Sequence, residues 1–289
     1  MKSTNANNTL NYINHLAPLF NLSVDIPPSP WIGHIPFMFV LFQALRPKSY
    51  LELGVHNGCS FLAAASAAAL YAQDCHLTGI DTWHGDDHAV YGGGDAILAK
   101  LSQTVDAHFS NVTLVRDFFD NHAPKVAIKS VDLLHIDGHH TYEAVKHDFE
   151  IWLPKMADNG VVILHDTEVY DNNFGVYQYF DELSVKYPHF KFKHSFGLGV
   201  IFLGKPEIYP ESLMALAANP NLMVDYANLV FDIASSLEVR FLANQKGTGI
   251  LSISKGREDQ ETIIIPGSRS WKLIMLLRRL RRLFYRGHC

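Results

Sequence analysis

The segment 133–145, LLHIDGHHTYEAV, concentrates titratable side chains directly after an apolar run. One aspartate and three histidines fall within six positions, namely His135, Asp137, His139 and His140. A carboxylate and imidazoles this close together can bind a divalent cation or move protons. These groups are therefore the first candidates for chemistry.

Part of this segment also has a purely structural explanation. Asp137 and Gly138 can form a turn, and residues 139–141 can cap the helix predicted to begin near Tyr142. His135 is expected to point into the core, because its neighbours in the predicted strand are apolar. Both explanations stay open for Asp137 and the histidines that follow it.

A glycine-containing turn, ELGVHNGCS (52–60), follows the first predicted strand. Gly54 and Gly58 let the backbone pass close to a ligand, and Ser60 opens a helix whose N-terminus favours a carboxylate or phosphate. Glu52 adds a carboxylate at the strand end. The spacing is GxxxG rather than GxGxxG, which argues against a dinucleotide site.

Two further strand ends carry groups suited to a nucleoside. Asp81 ends the second predicted strand, 23 residues after Gly58, where a carboxylate can accept both ribose hydroxyls. Asp117 and Phe118 end the third, and they offer a polar group and a ring for an adenine. Each feature alone has an ordinary structural explanation, because glycines are common in turns and a strand-end aspartate often caps a helix. In register on three consecutive strands, they favour a nucleoside site.

Short apolar runs alternate with helical patterns along the chain. The predicted strands are 49–55, 76–81, 112–117, 131–137, 160–166, 190–196 and 199–204. This alternation predicts a doubly wound, mostly parallel α/β sheet with helices on both faces. The short connection between the last two strands predicts an antiparallel hairpin at one edge. Ligands of such sheets lie beyond the carboxyl ends of the strands, where all the candidates above are found.

Composition limits the class of protein. The chain has 289 residues, 48% of them hydrophobic, and a net charge of −5. Seven Lys or Arg lie between Arg269 and Cys289, so the remaining chain has 17 basic and 29 acidic residues. An acidic body does not favour nucleic-acid binding, which needs a basic surface. The three cysteines show no CxxC spacing, which argues against a disulfide scaffold or a cysteine zinc site.

The N-terminus does not have the pattern of a secretory signal, and the apolar run 35–45 is shorter than the ~20 residues that span a bilayer. A cytoplasmic protein is therefore expected. The chain divides into a lead-in (1–30), an α/β domain (31–205) and a helical extension (206–289).

Four motifs stand out within residues 30 to 205: ELGVHNGCS, GIDTWHGDDHAVYGG, DLLHIDGHHTYEAVKHDFEIWLP and GVVILHDTEVYDNNFGVYQYFDEL. Together they resemble the class I S-adenosylmethionine-dependent methyltransferases. Within that class, they are similar to the subgroup that includes metal-dependent sugar O-methyltransferases of macrolide and aminocoumarin biosynthesis and relatives associated with glycan assembly. The resemblance implies a Rossmann-like sheet of seven strands whose last strand is antiparallel.

The resemblance also implies roles for individual residues. The cofactor S-adenosylmethionine would contact Gly54 and Gly58 through its methionine moiety, Asp81 through its ribose, and Trp83, Asp117 and Phe118 through its adenine region. In metal-dependent relatives, an aspartate after the fourth strand and two acidic residues after the fifth bind a divalent cation. The third residue past the first aspartate can be a general base.

The matching positions here are Asp137, the pair His165–Asp166, and His140 as base. A cation would lower the pKa of a sugar hydroxyl while the imidazole removes its proton. His165 stands where relatives place a carboxylate. Because magnesium prefers oxygen ligands, this substitution favours manganese, iron or no metal over magnesium.

The expected function is therefore an O-methyltransferase acting on a hydroxyl of a sugar or glycan precursor with cation assistance. Two alternatives stay open. Asp137, His139 or His140, and His165 could imitate the two-histidine, one-carboxylate site of an iron oxygenase. The chain could also be a non-catalytic partner of a glycan-assembly enzyme.

Two surface segments complete the predictions. The polar segment 84–94, with Asp86, His88 and Tyr91, is either a substrate lid or a solvated loop. In 271–286, leucines and arginines fall on opposite faces of a helical wheel. Such a helix suits an anionic inner-membrane surface, an acidic partner or the acidic body itself. The segment 219–245 has helical spacing and suits core packing or a homo-oligomer interface.

Overall fold

The computed structural model describes residues 24–85, 93–246, 250–254 and 260–264, with side chains up to residue 237. The strands of its main sheet are β1 (Ser49–Leu53), β2 (His76–Asp81), β3 (Val112–Arg116), β4 (Val131–Ile136), β5 (Met156–His165), β6 (His189–Phe192) and β7 (Leu198–Phe202). The predicted lid residues 86–92 and the basic segment 271–286 lie outside the described residues.

Helices connect these strands. They are α1 (Ile35–Leu45), α2 (Cys59–Tyr71), α3 (Gly94–His108), α4 (Phe119–His122), α5 (Tyr142–Trp152) and α6 (Val176–Ser184), followed by α7 (Glu211–Ala218) and α8 (Pro220–Lys246). A 3-10 helix, Pro30–His34, precedes α1. Its first turn is capped by Ser29, whose hydroxyl accepts the backbone N–H of Trp31.

The seven strands form one sheet in the order β3-β2-β1-β4-β5-β7-β6. The strands β1 to β5 pair in parallel, and β7 pairs antiparallel with both β5 and β6. The doubly wound class, the mostly parallel sheet and the antiparallel last strand are confirmed. The carboxyl ends of β1 to β5 therefore meet at one edge of the sheet.

The hairpin at the edge differs from the prediction in one detail. The strand predicted at 190–196 ends at Phe192, and residues 193–197 form a loop before β7. Ser195, Phe196 and Gly197 in this loop have positive φ, a conformation that cannot continue a strand. The pattern FKFKHSF alternates well enough to suggest a longer strand, so local sequence alone did not reveal its end.

Hydrophobic cores lie on both faces of the sheet. One core packs the sheet against the 3-10 helix, α1, α2 and α8, and the other packs it against α5 and α6. Because side chains alternate along a strand, Glu52 on β1, His135 on β4 and His165 on β5 all point to the first face. Trp31 and His34 of the 3-10 helix cover them, and both are buried.

The C-terminal extension begins with the helices α7 and α8. A hairpin of β8 (Ile250–Ser254) and β9 (Gln260–Ile264) follows, which the prediction of a wholly helical extension did not include. The sequences ILSIS and QETII are rich in β-branched residues, which favour strands. Within the described ranges, no helix is both long enough and apolar enough to cross a membrane.

Candidate active site

The glycine turn after β1 depends on two left-handed residues. Gly54 has φ 89°, and a Cβ there would lie 2.0 Å from the carbonyl oxygen of Asp137. Gly58 has φ 86° at the start of α2, where a Cβ would lie 2.5 Å from Leu101. Both positions therefore require glycine. The turn runs directly against the loop after β4, so the predicted cofactor loop and the Asp137 cluster are neighbours.

Asp81 organises this turn from the end of β2. Its Oδ2 accepts the backbone N–H groups of Val55 and His56 at 2.9 and 2.8 Å, and its Oδ1 accepts that of Trp83 at 2.6 Å. A carboxylate offers about four lone-pair positions. One position remains for a ligand, so a contact with both ribose hydroxyls requires bifurcated geometry. The contact of Asp81 with the ribose stays a prediction. The structure shows a second role for Asp81, because its carboxylate fixes the backbone of the turn.

Trp83 also holds the turn rather than presenting a free face. Its indole N–H donates to the carbonyl of His56 at 2.9 Å, and the side chain is 1% exposed. His56 has φ 47° and was not among the predicted site residues, although it lies inside the quoted glycine motif. A direct contact of the Trp83 ring with adenine stays a prediction.

Glu52 and Ser60 lie beneath the turn and contact each other. The Ser60 hydroxyl donates to Glu52 Oε1 at 2.6 Å, and the Tyr50 hydroxyl donates to Oε2. The Glu52 side chain is fully buried. These contacts place Glu52 in the support of the turn, and the predicted contacts of Glu52 and Ser60 with the cofactor stay predictions. Ser60 is only 4% exposed, and its hydroxyl hydrogen is used in the bond to Glu52.

The same carboxylate reaches His135 on β4. His135 Nδ1 lies 3.3 Å from Glu52 Oε2, and the indole N–H of Trp31 donates to His135 Nε2 at 3.2 Å. Because Nε2 accepts a hydrogen bond, the proton of this imidazole is on Nδ1 and faces Glu52. The expectation that His135 is a buried, hydrogen-bonded core residue is confirmed.

Asp117 and Phe118 lie at the end of β3. Asp117 pairs with Lys125 at 2.9 Å, and hydrogen bonds from Lys125 and Asn121 hold the pKa of Asp117 below its usual value. The Phe118 ring is 64% exposed. An exposed aromatic ring beside a fixed carboxylate at this edge is compatible with the predicted adenine contact, which stays a prediction.

Asp137, His140 and Asp166 come together at the ends of β4 and β5. One donor atom from each lies within 4.8 Å of the others. His140 Nε2 lies 3.0 Å from Asp166 Oδ2 and 3.8 Å from Asp137 Oδ1. Asp166 has φ 62°, which is strained for a non-glycine residue and is typical of functional sites. The pattern of residues after β4 and β5 therefore brings the predicted groups to one place.

Helix capping does not explain His140. The cap of α5 is Thr141, whose hydroxyl accepts the backbone N–H of Ala144 at 3.3 Å. The His140 ring instead stacks on Phe174, with centroids 4.7 Å apart and planes at 13°. The backbone N–H of Gly175 donates to the carbonyl of His140 at 2.8 Å. The start of α6 thus holds this imidazole against the carboxylates, a contact that sequence spacing could not reveal.

His165 lies between the two carboxylates. Its Nδ1 is 3.2 Å from Asp137 Oδ1 and 3.4 Å from Asp166 Oδ2, and its Nε2 is 3.1 Å from the carbonyl oxygen of Ser195. All three neighbours are acceptors, so both nitrogens donate and the ring is an imidazolium. His34 Nε2 shares the same Ser195 carbonyl at 3.2 Å. His34 and Ser195 were not predicted as parts of the site.

The charges in the cluster stabilise one another. Burial lowers the pKa of His140, but hydrogen bonds to Asp137 and Asp166 outweigh it and raise the pKa to about 9. Burial also lowers the pKa of His165, and the charges of Asp166 and Asp137 raise it well above its usual value. The carboxyl groups are affected in the opposite direction. Burial alone would raise their pKa values, and His165 and His140 hold both below the usual range.

The central part of the α/β sheet is similar to a known family of domains. Residues 51–167 match the model of a family described as a methyltransferase domain. This match runs from β1 past the end of β5, and it includes all the predicted site residues. Over these residues, the chain is therefore similar to that family.

One curated relative is 41% identical over 182 residues. It is a protein of Sinorhizobium fredii (strain NBRC 101917 / NGR234) described as the uncharacterized protein y4gI. The alignment covers 62% of this chain and 20% of the relative, so the chain spans about a fifth of that protein's length.

Three solved structures are similar at low sequence identity. A putative caffeoyl-CoA O-methyltransferase from Staphylococcus aureus is 18% identical, with 67% of this chain and 91% of that chain covered and a TM-score of 0.48. The cofactor-bound protein Rv0187 from MTB is 16% identical, with coverage of 67% and 89% and a TM-score of 0.47. The O-methyltransferase TomG from Streptomyces achromogenes, in complex with SAM, is 14% identical, with coverage of 68% and 88% and a TM-score of 0.43.

Proposed function

We propose that the chain is an S-adenosylmethionine-dependent O-methyltransferase that acts on a hydroxyl of a sugar or glycan precursor. The observation that carries this proposal is the contact between two loops, in which a Cβ on Gly54 would lie 2.0 Å from the Asp137 carbonyl. The predicted cofactor turn and a cluster of acids and imidazoles are thereby adjacent. The methyltransferase-domain match over residues 51–167 supports the same assignment.

The residues that fit the cofactor lie on β1 to β3. Gly54 and Gly58 leave room for close approach of a ligand to the backbone, Asp81 retains an acceptor position, and Phe118 presents an exposed ring. When bound, S-adenosylmethionine supplies an electrophilic methyl group on a sulfonium sulfur. The chain contributes by orienting that group towards the hydroxyl held at the Asp137 cluster.

The cluster also fits a divalent cation. Two carboxylates and one imidazole within 4.8 Å of one another form a mixed oxygen and nitrogen donor set, which suits manganese or iron better than magnesium. Asp137, His140 and Asp166 would hold the ion, and there it would lower the pKa of the acceptor hydroxyl. A His140 Nε2 that binds the ion cannot also accept a proton, so His140 acts as base only in the metal-free site. The contacts of His165 favour a supporting role as a donor to the two carboxylates, rather than the role of ligand that its position suggested.

The proton of the acceptor hydroxyl must reach a base in this cluster. With a pKa of about 9, His140 is protonated at Nε2 in most molecules near neutral pH. It can remove a proton only in the deprotonated fraction, which grows as the pH approaches 9. Asp166, 3.0 Å from the same nitrogen, stays ionised and orients the imidazole. The predicted role of His140 as base is therefore retained with an alkaline pH dependence.

The iron oxygenase alternative finds less support in the donor set. Within the described residues, the group of close donor atoms contains two carboxylates and one histidine, the reverse of the two-histidine, one-carboxylate set. The second histidine, His165, directs its Nε2 to the Ser195 carbonyl. Oxygen consumption that depends on iron would revive this alternative.

The direct test is calorimetry of the full chain with S-adenosylhomocysteine, with and without manganese, iron or magnesium, followed by methyl transfer to a panel of sugar acceptors. We expect binding of the cofactor product and metal-dependent methylation of at least one sugar. A folded protein that does not bind S-adenosylhomocysteine would refute the proposal and favour the role of a non-catalytic partner.

A further inference from the structure

The loop 193–197 between β6 and β7 has an unusual backbone. Ser195, Phe196 and Gly197 are consecutive left-handed residues, with φ 54°, 67° and 90°. This region costs free energy for any side chain with a Cβ, and most for a bulky residue such as phenylalanine. Such strain persists only where surrounding contacts impose it, and it concentrates at ligand-binding positions.

Contacts on both sides impose this conformation. The Ser195 carbonyl receives His165 Nε2 at 3.1 Å and His34 Nε2 at 3.2 Å. The backbone N–H of Glu168 donates to the Phe196 carbonyl at 2.8 Å. A Cβ on Gly197 would lie 2.6 Å from Thr167 Oγ1, so this position must be glycine. The loop is therefore fixed to the segment that follows Asp166.

The fixed loop presents an aromatic ring to solvent. Phe196 is 54% exposed, although its backbone adjoins the carbonyl that binds His165. Tyr170 is 59% exposed, and its hydroxyl donates to Glu168 Oε2 at 2.9 Å. Glu168 Oε1 pairs with Lys191 at 2.8 Å. Glu168 thus holds both aromatic residues, one through its backbone and one through its carboxylate.

We infer that Phe196 and Tyr170 are the aromatic contacts of the acceptor site, positioned by Glu168 to bind the C–H face of a pyranose ring whose hydroxyl lies at Asp166. This inference rests on the proposed function. The chain and one hydrogen bond link these residues to the cluster. Glu168 is two residues from Asp166, and the carbonyl of Ser195, next to Phe196, accepts a hydrogen bond from His165, which bridges Asp166 and Asp137.

The surroundings favour a pyranose over a flat aromatic acceptor. A pyranose has an apolar face that gains from packing on aromatic side chains, and it carries hydroxyls around its rim. The exposed rings of Phe196 and Tyr170 match the face, and the carboxylates of Glu168 and Asp166 match the hydroxyls. A planar aromatic acceptor would instead require a narrow apolar slot, with little use for charged groups on its edge.

The inference can be tested by saturation-transfer NMR on the full chain saturated with S-adenosylhomocysteine. The probes are a panel of methyl pyranosides of hexoses and 6-deoxyhexoses, with catechol as the aromatic comparison. For at least one pyranoside, we expect transfer to the ring C–H protons. Phe196→Ala and Tyr170→Ala should each weaken its affinity by about fivefold to tenfold, since an aromatic contact is worth ~1 kcal/mol.

Three controls make the result specific. Phe196→Tyr keeps the ring and should restore binding, and Val185→Ala removes a side chain that is 87% exposed at the end of α6 and should change nothing. The affinity for S-adenosylhomocysteine should stay within about twofold in all variants, because that ligand binds on β1 to β3.

Equal pyranoside affinity in wild type and Phe196→Ala would overturn the inference, as would transfer to catechol alone or to no probe. In these cases, binding of S-adenosylhomocysteine by the wild type leaves the proposed function standing. If the wild type does not bind S-adenosylhomocysteine, the proposed function itself is refuted. Failure of the acceptor-site inference and failure of the proposed function are therefore distinguishable.

Discussion

Two carboxylates, the half-buried Asp137 and the buried Asp166, each contact the imidazoles of His140 and His165. Like charges at this distance would raise one pKa unless cations lie between them. His165 supplies that cation from the chain itself, because all its hydrogen-bond neighbours are acceptors. The exchange of a carboxylate for histidine at this position therefore changes the charge of the site as well as its ligand set.

The first prediction concerns the acids of this cluster. Asp137→Asn and Asp166→Asn keep the shape of each side chain but remove its charge. The acceptor hydroxyl and its base, His140, then lose the carboxylates that position them. Methyl transfer should fall on the order of 10² to 10⁴-fold. The dissociation constant of S-adenosylhomocysteine, measured by calorimetry, should stay nearly unchanged. Asp158→Asn, which removes an exposed partner of Lys129, is the matched control and should keep full activity. Full turnover in both site variants would show that the cluster is structural.

The second prediction concerns pH and His140. The pKa of His140 is about 9 in the folded chain and about 6.5 when unfolded. Its pairing thus contributes fully below pH ~6.5, and the contribution falls by about 1.4 kcal/mol per pH unit until the folded pKa is passed. We expect the difference in unfolding free energy between wild type and His140→Asn to be constant from pH 5 to ~6.5 and to shrink towards pH 9. Urea titrations without added metal measure it. A difference independent of pH would mean that folding does not shift the pKa of His140.

Sequence reasoning found the titratable residues of the site but not all their partners. Asp137, His140 and Asp166 were predictable because strand ends of a parallel sheet meet at one edge. Ser195 and Phe174 were not, because a backbone carbonyl and a stacked ring leave no signal in residue type or spacing. Glu52 was assigned to the ligand because its position is at a strand end. Only the paired contacts with Tyr50 and Ser60 reveal that it supports the turn from below.

At the scale of elements, the loop between β6 and β7 is the part of the sheet that the sequence pattern predicted wrongly. Alternating apolar residues predicted a strand to residue 196, yet the strand stops at Phe192. The reason is tertiary: His34 and His165 both bind the Ser195 carbonyl, and this imposes a backbone that no local preference would choose. The five parallel strands were predictable because buried strands have continuous apolar runs and clear turn signals.

The third prediction tests this loop with two glycines of nearly equal φ. Gly197 has φ 90° and a crowded site, where an added Cβ would lie 2.6 Å from Thr167 Oγ1. Gly93 has φ 92°, and among the described residues nothing lies within 4 Å of a Cβ added there. Both Gly197→Ala and Gly93→Ala incur backbone strain of about 1 to 2 kcal/mol. Only Gly197→Ala adds a clash, so it should lower the unfolding free energy by a further ~1 to 3 kcal/mol in urea titrations. Equal losses would show that the loop relaxes freely.

At the scale of the whole molecule, charge is distributed unevenly. The seven basic residues from Arg269 to the C-terminus contrast with the acidic remainder. The sequence predicts an amphipathic helix in 271–286, which lies outside the described residues. Its proposed partner is an anionic membrane surface, and the acidic body of the same chain is the competing partner.

The fourth prediction separates these partners. The full chain should sediment with vesicles that contain acidic phospholipid, and added salt should release it, since screening weakens the attraction of arginines to anionic headgroups. Truncation after Pro266 should abolish sedimentation while leaving affinity for S-adenosylhomocysteine intact. Neutral vesicles are the control. Equal sedimentation of the two forms at low salt would contradict a membrane role for the segment.

The shared Ser195 carbonyl has a consequence for any attempt to excise the domain. The methyltransferase match ends at residue 167, but His165 binds a carbonyl 30 positions along the chain and His34 reaches the same atom across 161 positions. Trp31 reaches His135 across 104. A fragment cut at the matched boundaries would keep Asp137, His140 and Asp166 but lose the groups that fix the imidazoles of His135 and His165. The part of the chain that forms the site is therefore longer than the matched range 51–167. A fragment must extend from the 3-10 helix through β7 to be informative.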